Sequence, residues 1–185
     1  MPTLYGCALF PPPADAEPLA RIRQRFDAEH ASRSEPHITL KQPFHGPEPE
    51  SVEESELVTL LRRSAAPFGP LQVHLRRIGT FRSPVHGSVV YARVEAEPVL
   101  HALARVVIAA VHDAGFETPS LSVEHETELY FPHLTLAQGL NEYAAQNMLA
   151  ELANFAPRSF TVKRIGLGVC KADGRWQTPH TWSLS

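Results

Sequence analysis

The chain is poor in cysteine, in positive charge and in long apolar runs, and each shortage closes off a class of protein. Two cysteines, Cys7 and Cys170, cannot make a disulfide framework. Both fall in apolar, strand-like runs, which suits buried thiols in a reducing cytosol, so a cytoplasmic protein is expected. No apolar run approaches the ~20 residues of a membrane-spanning helix. The opening MPTLYGCALFPPP has no basic start, and Pro11 to Pro13 stop its apolar stretch, so it does not read as a signal peptide. A net charge of −3 argues against a broad duplex-DNA binder. A small phosphate ligand needs only a local basic pocket and stays open. There is no Walker loop, and Gly166-Leu167-Gly168 lacks the rest of a dinucleotide fingerprint, so nothing calls for ATP or NAD.

What is present is an ordinary globular composition, 43% apolar and 20% charged. The length suits one domain over residues 1–185, or two small lobes sharing a core. The 17 prolines are scattered at element boundaries and act as punctuation. Strands are expected at 3–10, 36–41, 71–78, 88–95, 129–137, 159–170 and 175–184. Helices are expected at 15–29, from a Ser51/Glu54 capping box through Leu57, Leu60 and Leu61, at 98–114 and at 142–153. Residues 79–87 read as a longish hairpin loop. Near Lys163-Arg164 the apolar phase flips from Phe160 and Val162 to Ile165, Leu167 and Val169. A bulge or a strand buried on both faces would each produce that. Strands and helices alternate in two similar runs, from which mixed sheets with helices to one side of each lobe follow.

One constellation carries chemistry. Pro36-His37-Ile38-Thr39-Leu40 and Pro132-His133-Leu134-Thr135-Leu136 differ at one position. On a strand, residues i and i+2 share a face, so each copy presents one imidazole and one hydroxyl above an apolar backing. Imidazole titrates near neutrality, so one copy can be neutral while the other is protonated. In-line displacement at phosphorus needs that pair: a base for the attacking hydroxyl and an acid for the leaving oxygen. Threonine hydroxyls can bind the non-bridging oxygens. Zinc usually takes three or four ligands, and neither pentapeptide brings a thiol or carboxylate; Glu124, His125 and Glu126 near the second copy keep a metal site as a rival.

Two H-x-T segments on strands, 96 positions apart (133 − 37), resemble the two-histidine phosphoesterase superfamily, in its 2′-5′ RNA ligase-like, or cyclic phosphodiesterase, branch. The resemblance implies a bilobal α+β fold with two pseudo-symmetric lobes, each an antiparallel or mixed sheet flanked by helices, and a groove between them. It implies His37, Thr39, His133 and Thr135 as catalytic residues, with His133 as base and His37 as acid. It implies no metal, no nucleotide cofactor, and hydrolysis of RNA 2′,3′-cyclic phosphate ends or small cyclic nucleotides, with 2′-5′ ligation as the reverse class. A monomer acting on RNA ends, with no membrane and no duplex DNA as partner, is the expectation. The ligase branch often has an arginine shortly after the second motif. Here Gln138 stands in that place, which keeps a binding module with little turnover as the alternative.

Weaker candidates surround the motifs. Alternation turns Lys41 toward the face of His37 and Thr39, where it would meet phosphate. Arg82 and His86 would line the groove from the hairpin loop. Phe44, Tyr130 and Phe131, with Tyr5, are read either as base-stacking surfaces or as core.

Overall fold

The computed structural model describes residues 3–45, 54–83, 86–95, 98–116, 126 and 130–185. The elements, in chain order, are β1 (Leu4–Phe10), α1 (Pro13–Phe26), α2 (Ala28–Arg33), β2 (Ile38–His45), α3 (Glu54–Ala65), β3 (Leu71–Ser83), β4 (Gly87–Glu95), α4 (Pro98–Asp113), β5 (His133–Leu140), α5 (Glu142–Glu151), β6 (Arg158–Val162), β7 (Arg164–Cys170) and β8 (Trp176–Ser183). Ser51 of the expected capping box lies outside the described residues.

The strands form one sheet in the order β6-β3-β4-β5-β2-β1-β7-β8. It divides at its middle into two four-stranded halves of matching layout, β5-β4-β3-β6 and β2-β1-β7-β8. Every described pairing is antiparallel, so the mixed alternative drops out. The seam between the halves is the pairing of Ile38 with Leu134.

Register explains why the seam holds. Ala92, Leu134, Ile38, Leu9 and Ile165 are successive cross-strand partners, and all five are fully buried. Cross-strand partners share a face. One apolar row therefore spans five strands and both halves, each large side chain contributing about 1.5–3 kcal/mol of burial. Helix α4 covers part of this core with Leu100, Leu103, Val107 and Val111. Two residues past its last residue, Asp113, stands Gly115, whose φ of +79° needs glycine. The Phe116 N–H then reaches back to the Val111 carbonyl at 3.2 Å.

Three expectations change. The helix expected at 15–29 breaks at Asp27, whose carboxylate accepts from the His30 N–H at 3.0 Å and so starts α2. The long hairpin loop shrinks, because β3 runs on to Ser83 and β4 begins at Gly87. The phase flip at Lys163 is neither a simple bulge nor one continuous strand. The chain changes halves there: β6 pairs with β3, and β7 pairs with β1. In β7 itself the five residues Ile165 to Val169 are all buried, as the two-faced reading required.

Candidate active site

The residues above that apolar row are set by the same register. Carrying the antiparallel pairing of Ile38 with Leu134 one residue each way puts Thr39 opposite His133 and His37 opposite Thr135. All four side chains are half-buried on the face away from the apolar row. The two imidazoles are then diagonal neighbours, a relation that places residues about 7–8 Å apart. That gap can hold a phosphate.

Each ring is held in the same way. The Nδ1–H of His37 donates to the Glu35 carbonyl at 2.8 Å, and the Nδ1–H of His133 donates to the Phe131 carbonyl at 2.8 Å. In both cases the acceptor is two residues back. This assigns the tautomer and leaves Nε2 as the proton-accepting atom of each neutral ring.

The surroundings are less symmetric. Burial holds His37 below the ordinary imidazole range; its bond to Glu35 opposes this, and the Arg23 and His133 charges reinforce it. Arg23 is buried on α1 and donates to the Ser34 carbonyl at 2.7 Å and the Ser34 hydroxyl at 2.9 Å. Burial lowers its own pKa to about 10. His30, on α2, is pushed down to about 4 by burial, then by Arg23, His37 and His86. Sequence reasoning missed both groups. Arg23 did carry a signal: it falls in the Leu19, Ile22, Phe26 stripe, where a charge is out of place.

Around His133 stand three aromatic rings. Phe81 and Tyr91 meet it edge-on at 5.4 Å, and Phe131 lies nearly parallel at 5.9 Å. Phe81 and Phe131 are 37% and 38% exposed, open enough to receive a flat ligand. Gly79 makes room for the Tyr91 ring, since a Cβ there would come within 2.6 Å of its hydroxyl. His37 has Phe10 at 6.2 Å, and Arg164 lies over that ring while pairing with Glu35 at 2.6 Å.

The weaker candidates sort themselves. Lys41 does not face the groove. Thr39 pairs with Ala8, but Lys41 pairs with Cys7, so Leu40 is an extra residue and the bulge turns Lys41 to the core side. There it is fully buried, with Glu126 Oε1 at 2.6 Å; burial lowers its pKa and Glu126 opposes that. Phe44 is fully buried against Tyr5 and Phe116, so neither Phe44 nor Tyr5 is a stacking surface. The Tyr130 hydroxyl donates to the Thr39 carbonyl at 2.7 Å, tying the approach to one motif onto the strand of the other. Arg82 is exposed, but strict alternation in this part of β3 puts it on the face opposite Phe81. His86 is exposed, and its carbonyl accepts from the Gly139 N–H. The Gln138 N–H donates to Asp27 at 2.9 Å, anchoring the α1–α2 junction beside the second motif. Glu124 and His125 lie outside the described residues, while Glu126 is committed to Lys41. Among the described residues no group of three or more metal-ligating side chains gathers. The Cys7 thiol is buried and pushed up to about 12, so it is no nucleophile.

Comparison with known proteins decides the family. The model of the 2′-5′ RNA ligase superfamily matches residues 10–174. The chain belongs to that superfamily. A candidate phosphoesterase of Bacillus cytotoxicus is 33% identical over 147 residues, 80% of this chain and 76% of that protein. One from Bacillus anthracis is 30% identical over the same shares. The superfamily member is thus a phosphoesterase of the 2′-5′ RNA ligase kind. Its fold is shared with TT0787 of Thermus thermophilus, at a TM-score of 0.65, 19% identity, and coverage of 98% and 97% of the two chains. Escherichia coli LigT in complex with NADP+ gives 0.62 at 21% identity, covering 100% and 98%. LigT has also been crystallised with 3′-AMP. No described helix is long and apolar enough to cross a membrane.

Proposed function

We propose that this phosphoesterase hydrolyses RNA 2′,3′-cyclic phosphate ends without a metal, breaking the bond to the 3′ oxygen and leaving a 2′-phosphate. The observation that carries this reading is the matched pair of imidazoles, each fixed through Nδ1 by a carbonyl two residues back, on adjacent strands at the seam. The phosphate sits between them. His133 Nε2 takes a proton from water as its oxygen bonds to phosphorus. His37 gives its Nε2 proton to the departing 3′ oxygen. Thr39 and Thr135 donate to the non-bridging oxygens. With a 5′-hydroxyl end in place of water, the same site runs 2′-5′ ligation. The 3′-AMP and NADP+ complexes of LigT support a nucleotide ligand. We take the protein to act as a cytoplasmic monomer.

Burial and Arg23 disfavour a charged His37 in the empty groove. The proposed order therefore requires the arriving phosphate anion to bring a proton onto His37, its negative charge offsetting both.

The test is turnover of a cyclic-phosphate-ended oligonucleotide in chelator, with the product's phosphate position identified. His37→Ala and His133→Ala should each lower kcat by ~10²–10⁴-fold, and the double variant should lose little more. Rate against pH should be bell-shaped, its two apparent pKa values belonging to the pair. Near-wild-type activity in either single variant would sink the mechanism. So would loss of activity in chelator that zinc or manganese restores.

A further inference from the structure

The two residues that precede His37, Glu35 and Pro36, line a cleft of about 610 Å3 that the proposed reaction does not use. Its walls come from α1, α2, residues Ser34 to Pro36 leading into the first motif, and the start of β8. Four arginines line it, Arg21, Arg23, Arg33 and Arg175, against two carboxylates, Glu17 and Glu35. In a chain of net charge −3, this is a local excess of positive charge.

Two features mark it as more than a solvated basic surface. Arg23 lines it from below, only 1% exposed, and its Nε has no hydrogen-bond partner among the described residues. A buried cation with one donor unmatched is costly, and it makes the cleft it lines electropositive, which favours an anion there. The rim arginines, in contrast, are weakly committed. Arg21 pairs with Glu17 at 2.6 Å, Arg33 with Glu29 at 2.5 Å and Arg175 with Asp173 at 2.6 Å, all at exposed positions. Such pairs hold little and exchange readily for a better anion. One wall is the Trp176 ring, seated over Gly6 and Gly168, where an added Cβ would come within 3.3 and 3.2 Å of it.

We propose that this cleft binds a second phosphate of the substrate, so that the preferred substrates carry a phosphate beyond the cyclic one: an RNA end or a 5′-phosphorylated nucleotide rather than a bare nucleoside cyclic phosphate. This rests on the phosphodiesterase reading above and adds a substrate class to it. Guanidinium groups suit the task because they donate to phosphate in pairs.

The experiment compares kcat/KM for adenosine 2′,3′-cyclic phosphate with that for its 5′-phosphorylated form, in wild type, Arg33→Gln, Arg175→Gln and the double variant. The second phosphate should raise kcat/KM about ten- to a hundredfold in wild type, the effect of one or two charge-assisted hydrogen bonds. In the double variant the ratio of the two values should fall toward one, and added salt should shrink it in wild type. A wild-type ratio near one, or a ratio unmoved by the double substitution, overturns the proposal. Calorimetric binding of adenosine 3′,5′-bisphosphate against 3′-AMP separates the two layers. If neither cyclic phosphate is turned over but the bisphosphate binds tighter than 3′-AMP and the double variant erases the difference, the cleft stands and the phosphodiesterase reading falls. If the two bind alike, the cleft proposal falls as well.

Discussion

Replacing Lys41 separates a structural cation from a catalytic one. Lys41 and Glu126 are both essentially buried and meet at 2.6 Å. The Gln42 N–H also donates to Glu126 Oε1, and His112 Nε2 lies 3.5 Å from Oε2. Lys41→Met keeps the length of the stem but leaves Glu126 as a buried charge without its closest counter-charge. Breaking such a pair from one side costs about 3–5 kcal/mol. For a chain of this size 1 kcal/mol moves Tm by roughly 2–4 °C, so Tm should drop by about 6–20 °C. Adding Glu126→Gln removes the stranded charge while its amide oxygen still accepts from Gln42, and most of the loss should return. Urea unfolding followed by tryptophan fluorescence gives the stabilities, and turnover at a temperature where all variants are folded gives the activity. The reasoning predicts large stability changes with kcat within a few-fold of wild type throughout. A stable Lys41→Met protein with kcat down a hundredfold would refute it, and would return Lys41 to the phosphate.

The site and its flank can be tested in three other ways. Thr39→Ala and Thr135→Ala should each cost about 1.5–3 kcal/mol in phosphate affinity or rate, and Thr→Ser should recover most of it; equal damage from Ser would point to packing by the methyl group. Phosphate binding should take up a proton near neutral pH and move the His37 resonance to higher pKa in an NMR titration; if it does neither, His37 starts and stays neutral, and the roles of acid and base exchange. His30 sits at about 4 when folded, against about 6.5 for a free imidazole, so the unfolded chain binds more protons between those values and stability rises with pH through that window. Up to about 3 kcal/mol should be lost on acidification from pH 6.5 toward 4, and His30→Gln should flatten that part of the urea-stability profile; an unchanged slope would mean His30 is solvated and ordinary.

The candidate site was legible because its signal is local. A repeated H-x-T on a strand needs only period-two geometry to aim both side chains one way, and Ile38 and Leu134 serve as the opposite face. Lys41 was misplaced for a nonlocal reason: the bulge at Leu40 is defined by which residues of β1 lie across from it. The phase flip at Lys163 was visible, but its cause, passage from one half of the sheet to the other, depends on partners far away in sequence. Arg23 and His30 reach the site because Asp27 ends one helix, starts the next and holds Gln138. No single segment contains that instruction.

A motif this symmetric gives a site no direction. Two imidazoles, each tethered to the carbonyl two residues back, could exchange roles if nothing else distinguished them. Attack and departure at phosphorus, however, occur on opposite sides, and the substrate must enter one way round. The distinction has to come from what flanks each histidine. His133 is ringed by Phe81, Tyr91 and Phe131, a surface for a flat apolar group. His37 feels the charge of the buried Arg23 and directly follows the segment that lines a cleft rimmed by arginines, a surface for negative charge. A nucleotide is flat at one end and anionic at the other, so the asymmetry of the surroundings can orient it where the motif cannot. Substitutions at the histidines should therefore alter rate on every substrate, whereas substitutions in the flanks should alter which substrate is chosen.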